Sequence, residues 1–527
     1  MKKQRKKHAS VPEYVSPNQL SLEGFETPFE QSLNPKNRWV VFANMIPWDE
    51  ICNLYLKHVG VSNTGRPPIN PRIVIGSVII KHMCNLDDRE TVDQISENVY
   101  MQYFLGYSSF SNQAPFDASL FVEFRKRLGC EHLNAINERI VSLKANLDAQ
   151  QINTHEASTE DSDSSKIGSD TGAHSQSDQD EKKYTDAPTI NKGRLLMDAT
   201  ACPQDIAFPT DLTLLSDARE KSEYLIDLLY DPDFHKQKPR TYRRLARKKY
   251  LNTAQKKSKS RKTIRTAIGG QLRYLARNIQ SINNLLDTYE QIPFENGDYK
   301  YFLIINTVFQ QQKEMYDNQT HRVDHRIVSI HQPHVRPIVR GKSQAKVEFG
   351  AKIHVSLIDG ISFLDEISWD AFNEGSHMMD YIEKYKIRFG YYPKEVLADQ
   401  IYCTRANRNA LKLLGIKLLA KPLGRPAAVS NHVRPGERNP IEGKFGQAKT
   451  AYGLDRIRAR LIGTSESMIA SIILVLNLVK LAGMGVLCLF NNTLVSFSAK
   501  QLGFFMLPSN WKFENRNNLI LNFGLAA

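Results

Sequence analysis

Apolar residues recur at helical spacing through the first part of the chain, up to about residue 147. The apolar stretch 73–80 follows a proline-rich lead-in and has the length and spacing of a packed helix. Residues 87–95 have the pattern of an amphipathic helix, and a third helix is expected to begin just after Asp117 and to end at Gly129. This pattern predicts an N-terminal helical domain over residues 1–147.

From Asp324 onward the pattern changes to strands that alternate with helices. The expected strands are 326–331, 348–358, 361–369, 396–398 and 417–420. Asp359-Gly360, between the second and third of these, is a strong signal for a tight hairpin. Helices are expected at about 376–389 and 405–414, and again from Asn439 onward. This alternation predicts an α/β fold with a mixed sheet, which we assign to residues 191–480.

Between these regions lies a segment of different composition. Residues 148–190 are rich in Ser, Asp, Thr and Gln and carry ten acidic residues against three basic ones. Because the segment has too few apolar residues to offset the entropy of ordering it, we predict an acidic, disordered linker. The whole chain has a formal net charge of +14. The positive charge therefore belongs to the other parts of the chain, and it favours a polyanionic partner.

A dense basic run at residues 235–278 carries sixteen Lys and Arg residues and no Asp or Glu. Its candidate contact residues include Arg243, Arg244, Arg247, Lys248 and Lys249. One interpretation is a solvated basic face, but so long a run without acidic residues would repel itself. Contact with nucleic-acid phosphates relieves that repulsion and releases counterions. We therefore predict a basic helical insertion at about 212–295 that grips DNA without reading its sequence.

A second basic stretch, Arg125, Lys126 and Arg127, lies near the end of the third predicted helix. Short helices that end in such a face can form a DNA reader of the helix-turn-helix kind. An ordinary helical packing or dimerisation module has the same pattern, so both interpretations stay open for residues 1–147.

The sequence argues against a membrane or secreted protein. The very apolar stretch 468–490 contains Asn477 and Lys480, and the uncharged run after them is too short to cross a bilayer, so we expect a buried core helix. The basic N-terminus is not followed by an apolar run, which argues against a signal peptide. Six scattered cysteines without a Cys-x-x-Cys pair fit a reducing cytoplasm and argue against structural zinc. Residues 481–527 are assigned to a C-terminal extension.

Three carboxylates are candidates for chemistry. Asp198 and Asp399 each end a short apolar run with the pattern of a strand, and open α/β sheets bind ligands at the carboxyl ends of their strands. A turn aspartate that caps the next element is the commoner role for a single residue of this kind. Glu442 has a similar alternative, because Asn439, Pro440 and Glu442 together fit a helix capping box.

The surroundings of Glu442 favour chemistry. Lys449 follows almost two helical turns later on the same face, and Arg438 immediately precedes the helix. Gly443 and Gly446 leave this face open to close approach. A carboxylate beside cations on an open helix face suits a metal ion held against a DNA phosphate.

The spacing Arg438-x3-Glu442-x6-Lys449 resembles the Tyr-x2-Arg-x3-Glu-x6-Lys signature of bacterial insertion-sequence transposases of the DDE class. Pro435 stands where the signature has Tyr, which puts the strand contact of that Tyr in doubt. The resemblance also covers the N-terminal helical region, and it extends over nearly the whole chain except the acidic linker and about the last forty residues.

Two further blocks carry the same resemblance. Asp198-Ala199-Thr200 and Ala398-Asp399-x-x-Tyr402 resemble the first and second Asp blocks of the insertion-sequence-five-like members. The resemblance implies an RNase H-like core, with Asp198 and Asp399 on neighbouring strands and Glu442 on a helix beside them. It implies that these three residues bind two Mg²⁺ ions, with Mn²⁺ as a substitute. Two such ions roughly 3.5–4 Å apart can activate the nucleophile and neutralise the leaving oxygen of a phosphodiester.

The expected function is therefore that of a transposase. Its partners would be double-stranded DNA, both the terminal inverted repeats and the target DNA, and pairing two ends would require at least a homodimer. Arg438 and Lys449 would contact DNA, and the protein would be cytoplasmic and associated with the bacterial nucleoid.

Two alternatives are a catalytically inactive, transposase-derived DNA-binding protein and an RNase H-type nuclease that cuts without joining. The presence of all three carboxylates and Lys449 argues against the first. The N-terminal domain and the basic insertion argue against the second, because a simple nuclease needs neither.

Overall fold

The computed structural model describes residues 32–59, 69–156, 191–339, 347–420 and 436–498. In these ranges many helices accompany one mixed six-stranded sheet, which confirms the predicted mixed α/β fold class. The described residues up to 480 form one compact unit, and those from 481 onward belong to a second, of which only a helix end is described. Most of the predicted acidic linker, Pro435 and most of the predicted C-terminal extension lie outside the described residues.

The N-terminal part is helical, as the sequence predicts. Its helices are α1 (Arg38–Met45), α2 (Trp48–Val59), α3 (Pro71–Met83), α4 (Asp88–Glu97), α5 (Val99–Phe104) and α6 (Leu120–Glu156). Asn70 caps α3 and Asp87 caps α4, while Gly129, with a φ of 59°, interrupts the helical path of α6 where a helix end was expected. Residues 148–156, at the start of the predicted linker, continue α6.

Asp88, at the start of α4, joins three helices. Arg125 of α6 donates two hydrogen bonds of 2.8 Å to the Asp88 carboxylate, and Lys81 of α3 contacts it at 2.8 Å. Arg125 is only 7% exposed. Arg125 on α6 thus faces α4, and its charge is used inside the helical unit, which argues against a contact with DNA; that contact stays a prediction. Lys126 and Arg127 remain exposed.

The Asp88 pairs make the stability of this helical unit dependent on pH. Burial alone would raise the pKa of Asp88, but the hydrogen bonds from Arg125 and the charge of Lys81 outweigh it and lower the pKa to about 2. A lowered folded-state pKa stabilises the fold above the unfolded-state pKa, and this stability is lost as the pH falls toward the folded-state value. We expect Asp88→Asn to lower the unfolding free energy by about 1–2 kcal/mol at neutral pH.

Urea unfolding followed by tryptophan fluorescence checks this prediction, because Trp39 in α1 and Trp48 in α2 are buried within the same helical unit. The difference between wild type and Asp88→Asn should shrink between about pH 4 and about pH 2. Asp93→Asn, exposed on the same helix, is the control and should leave stability unchanged. A difference at Asp88 that stays constant across this pH range would contradict the proposed ion pairing.

The strands of the mixed sheet are β1 (Arg194–Pro203), β2 (Arg336–Val339), β3 (Val347–Ile358), β4 (Ile361–Ser368), β5 (Glu395–Leu397) and β6 (Lys417–Leu419). β3 pairs antiparallel with β1 along one edge and with β2 and β4 along the other. β5 is parallel to both β1 and β6. Asp359 (φ 51°) and Gly360 (φ 82°) form the turn between β3 and β4, so the predicted hairpin is confirmed.

Four helices are inserted between β1 and β2. They are α7 (Asp211–Leu229), α8 (Arg243–Ala254), α9 (Arg261–Leu286) and α10 (Asn296–Asp317). Apolar side chains from α7, α9 and α10 form a hydrophobic core of their own. The helical insertion thus extends past residue 295. The segment 326–331 is not a strand, contrary to the prediction: Ile327 and Ile330 pack into the core of the insertion, and this contact explains their apolar spacing.

The last helices are α11 (Met378–Phe389), α12 (Arg405–Leu413), α13 (Asn439–Tyr452) and α14 (Ile462–Ser498). Among the described residues, one helical stretch, Ile462–Gly483, is long and apolar enough to cross a membrane, but 78% of its most apolar window is buried inside the protein. Asn477 within it accepts a hydrogen bond from the Ser362 amide at 2.8 Å and donates to Asn137 at 2.8 Å. This stretch therefore packs as the core helix that the sequence predicts.

Candidate active site

β1 and β5 bring Asp198 and Asp399 to neighbouring positions. The parallel pairing of the two strands ends at Leu196 and Leu397, and each aspartate follows two residues later. The prediction that Asp198 ends its strand is wrong, because β1 continues to Pro203 in antiparallel pairing with β3. Both aspartates nevertheless lie just beyond the paired part of two adjacent parallel strands.

One arginine joins the two aspartates. Arg438 Nη2 lies 3.2 Å from Asp198 Oδ2, and Arg438 Nη1 lies 3.1 Å from Asp399 Oδ1. The Ala199 amide donates to Asp198 Oδ1 at 2.9 Å, and the Gln400 amide donates to Asp399 Oδ1 at 2.8 Å. Asp399 thereby caps a short 3₁₀ turn, so the capping alternative drawn from the sequence describes part of its role.

Asp198 is the more enclosed of the pair, with 23% of its side chain exposed against 57% for Asp399. Burial raises the pKa of Asp198 above its ordinary value; Arg438 opposes the rise, and Asp399 and Glu374 add to it. The ionised carboxylate is therefore destabilised by its surroundings. Arg438 offsets part of that cost, and a divalent cation bound to the carboxylate would offset more of it.

Helix α13 contacts β1 and carries Glu442 and Lys449 toward the two aspartates. Glu442 is exposed in the first turn of the helix. The predicted capping box is not formed: Arg438 is the N-cap residue, and no side chain caps the helix. The reason is that Asn439 already has helical geometry and cannot act as the cap. Helix capping therefore does not account for Glu442.

A cavity of about 720 Å³ collects these side chains. Its charged lining consists of Asp198, Asp399, Glu442, Glu374, Arg438, Lys449 and Lys352. Among the described residues, no neighbouring atom lies within 4 Å of where a Cβ would stand on Gly443 or Gly446, so this helix face is open there, as expected. Within the described part of the chain, no three acidic, histidine or cysteine side chains are close enough to hold one metal ion as they stand.

Glu374 and Lys352 are cavity residues for which the sequence gives little sign. Lys352 Nζ lies 2.7 Å from Glu374 Oε1 and donates to the Phe372 carbonyl at 2.7 Å. Glu374 begins a 3₁₀ turn that packs on the Asp399 turn so closely that a Cβ on Gly375 would stand 2.3 Å from the Ile401 carbonyl oxygen. The one local feature in the sequence that could draw attention to Glu374 is its place directly before Gly375.

The predicted DNA-contact residues outside the cavity lie on two helical surfaces. Arg243 on α8 is held by Asp227 at 2.8 and 2.9 Å. Lys126 and Arg127 are exposed on α6. The other exposed cations of α8 are Arg244, Arg247, Lys248 and Lys249. Their contact with DNA stays a prediction.

Comparison with known proteins gives two family matches. Residues 27–127 match the model "Transposase domain (DUF772)", and residues 396–479 match "Transposase DDE domain". Over 128 residues the chain is 34% identical to "Uncharacterized protein ORF8 in nfe locus" of Rhizobium meliloti, which covers 24% of this chain and 56% of that protein. The chain thus spans about half the length of this curated relative. No solved structure matches.

These matches support a bacterial insertion-sequence transposase of the DDE class, as the resemblance predicted. The second match contains Asp399, Glu442 and Lys449. Asp198 lies outside both matched ranges, so its assignment rests on the pairing of β1 with β5 and on the shared cavity. The finer insertion-sequence-five-like assignment stays a prediction.

Proposed function

We propose that the protein binds the terminal inverted repeats of its own element, cuts DNA strands in a metal-dependent reaction and joins the exposed 3′-hydroxyl to target DNA. One observation carries the proposal: Asp198, Asp399 and Glu442 line a single cavity together with Arg438 and Lys449. The five residues come from three separate parts of the chain, and they are the ones that the family resemblance assigns to cleavage and to strand contact.

An RNase H-like core is part of this proposal. Its support is that Asp198 and Asp399 follow the paired parts of the neighbouring strands β1 and β5, and that α13, which carries Glu442, contacts β1. This is the arrangement that the resemblance implies. The antiparallel strands β3 and β4 extend the sheet on the other side of β1.

The donor chemistry of the cavity, rather than the present spacing of its side chains, suits a hard divalent cation. Carboxylate oxygens are the ligands that Mg²⁺ and Mn²⁺ prefer, and Asp198 and Asp399 are close enough for one guanidinium to bind both. We propose that Asp198, Asp399 and Glu442 would together hold two Mg²⁺ ions, for which Mn²⁺ could substitute. When bound, the ions would supply an activated oxygen nucleophile and neutralise charge on the leaving oxygen.

The protein's own cations would position the DNA. Lys449 stands seven residues after Glu442 on the same face of α13 and lines the cavity, where a phosphate of the reacting strand would meet its ammonium group. The exposed cations of α8 would add affinity that does not depend on sequence. Lys126 and Arg127 would belong to the N-terminal reader of the repeats.

The proposed reaction also bears on the oligomeric state of the protein and on where in the cell it acts. Joining requires two transposon ends at one place, so we propose at least a homodimer in the DNA complex. Its site of action would be the bacterial cytoplasm, in association with the nucleoid.

A strand-transfer assay tests the proposed function. The purified protein is incubated with Mg²⁺, a labelled duplex taken from the DNA that flanks its gene, and a supercoiled plasmid. A joined product supports a transposase. Cleavage without joining would favour the RNase H-type nuclease, and tight binding of the duplex without either reaction would favour the catalytically inactive DNA-binding protein.

The basic insertion gives a separate prediction about affinity. We expect the triple variant Arg244→Gln, Arg247→Gln, Lys248→Gln to bind every duplex more weakly. The fall of log affinity with log salt concentration should also become less steep, its slope shrinking in magnitude by about 2–3. Fluorescence anisotropy at several salt concentrations measures both quantities. The matched control neutralises three exposed lysines outside the insertion: Lys386, Lys412 and Lys417. An unchanged salt slope in the α8 variant would contradict phosphate contact by this helix.

A further inference from the structure

The two aspartates of the cavity already bind a cation that belongs to the protein. The Arg438 guanidinium contacts Asp198 Oδ2 at 3.2 Å and Asp399 Oδ1 at 3.1 Å through its two terminal nitrogens. Its third nitrogen, Nε, is buried and has no hydrogen-bond partner among the described residues. Arg438 therefore lies between the carboxylates and still has one hydrogen-bond donor, Nε, that the described residues do not use.

This position conflicts with metal binding at the same carboxylates. Mg²⁺ needs oxygen ligands at about 2.0–2.1 Å, and the guanidinium takes one oxygen of each aspartate. A guanidinium and a divalent cation a few ångströms apart also repel each other, most strongly beside Asp198, where only 23% of the side chain is exposed. The metal would therefore bind well only after Arg438 has withdrawn from the aspartates.

A DNA phosphate can replace the carboxylates as a partner for Arg438. The guanidinium fork binds a phosphate with two parallel hydrogen bonds, as it binds carboxylates. Arg438 stands at the N-terminal end of α13, beside the cavity that Lys449 also lines, so a strand held by Lys449 would pass within reach of it. The buried Nε would then add a donor to the new partner.

We propose that Arg438 is an exchangeable counter-ion: it holds Asp198 and Asp399 together in the DNA-free protein, and it yields them to the metal when a DNA phosphate binds it. The proposal rests on the proposed function and deepens it by linking metal binding to DNA binding. Because such coupling is reciprocal, DNA raises the affinity for metal by the factor by which metal raises the affinity for DNA. The protein would thus be protected from loading its metal before its substrate is in place.

Mn²⁺ binding to the full-length protein, measured by electron paramagnetic resonance, tests the exchange without any catalytic readout. We expect Arg438→Gln to bind Mn²⁺ about tenfold more tightly than wild type in the absence of DNA. Arg438→Lys should fall between the two, because a single ammonium group keeps the charge but cannot bridge both carboxylates as a fork does. Lys417→Gln removes a cation that pairs with Glu395 outside the cavity, and it should behave as wild type.

A second arm adds a saturating duplex of arbitrary sequence at low salt, with the duplex alone as a blank. The wild type should then gain roughly the tenfold affinity for Mn²⁺ that Arg438→Gln already has, and the variant should gain little. Equal or weaker Mn²⁺ binding by Arg438→Gln without DNA would overturn the exchange.

Asp198→Asn separates this failure from failure of the proposed function. If Asp198→Asn weakens Mn²⁺ binding but Arg438→Gln leaves it unchanged, the metal site stands and the exchange is wrong. If Asp198→Asn leaves Mn²⁺ binding unchanged, the metal does not bind at these aspartates, and both the exchange and the proposed metal site are wrong.

Discussion

Single replacement of Asp198, Asp399 or Glu442 by the corresponding amide is expected to lower the rate of strand cleavage on the order of 10³-fold or more. The amide keeps the size of the side chain but removes the negative charge that would hold a divalent cation. Charge stabilisation by such a cation contributes several kcal/mol to a phosphodiester transition state, which corresponds to this loss in rate. Binding of duplex DNA should change little, because the three carboxylates are not the groups that attract phosphate.

Single-turnover cleavage of a labelled end, with DNA binding measured in parallel, checks this expectation. Asp205→Asn is a suitable control: Asp205 pairs with Arg456 at 3.0 Å near the end of β1 and does not line the cavity. The control should cleave at the wild-type rate. Any one of the three amide variants that retains close to wild-type cleavage would show that its residue is misassigned.

The raised pKa of Asp198 predicts a second effect of the Asp198→Asn variant, on thermal stability. Burial, with Asp399 and Glu374, destabilises the ionised form, so at neutral pH the charge lowers the stability of the metal-free fold. In chelator, Asp198→Asn should therefore unfold at a higher temperature than wild type. Saturating Mg²⁺ should stabilise the wild type more than the variant, because a ligand of the native state stabilises only the protein that binds it.

Replacing Lys449 is expected to give the second large effect. Lys449→Ala should fold normally and bind metal, but cleave and join about 10- to 100-fold more slowly at saturating DNA, because a misplaced reacting phosphate loses positioning as well as charge. Lys449→Arg should recover part of the rate, since it restores the charge but not the compact ammonium geometry.

Lys444→Ala is the matched control, because Lys444 lies on the same helix but does not line the cavity. It should leave the saturated rate unchanged. Measuring at saturating DNA is essential, since it separates positioning from affinity. A wild-type rate for Lys449→Ala under these conditions would reduce its role to ordinary binding charge.

Local signals in the sequence predict much of the fold correctly. The turn at Asp359-Gly360 needs two consecutive residues with positive φ, and the dipeptide reveals this directly. The caps at Asn70 and Asp87 and the break at Gly129 are equally local. Segment 326–331 is not a strand, because its apolar residues pack against the helices of the insertion, a tertiary contact that the local pattern does not reveal.

The residues of the candidate site also divide into those that local sequence identifies and those that only the tertiary structure brings to the cavity. The spacing of Arg438, Glu442 and Lys449 within one stretch of chain brings the three residues to one cavity. The contact of Arg438 with both aspartates could not be foreseen, because it depends on how α13 meets two strands. Glu374 reaches the cavity through a close turn-to-turn contact, for the same reason.

Arg125 and Lys126 illustrate the limit for charged residues. They are adjacent and both basic, yet Arg125 is buried against Asp88 while Lys126 is exposed. Which of two neighbouring cations faces solvent depends on the packing of α6 against α4. A basic stretch in a sequence therefore does not by itself identify which of its cations are available to a polyanion.

Iron-mediated cleavage of the polypeptide tests most directly whether Asp198, Asp399 and Glu442 form one metal site. Fe²⁺ replaces Mg²⁺ in the full-length protein bound to duplex DNA. Peroxide with ascorbate then generates radicals that cut the polypeptide backbone beside the bound iron. We predict cuts at three places, near residues 198, 399 and 442, which Mg²⁺ suppresses together and which Asp198→Asn abolishes together. Cuts at only one of these places, or cuts elsewhere that Mg²⁺ suppresses, would contradict a shared metal site.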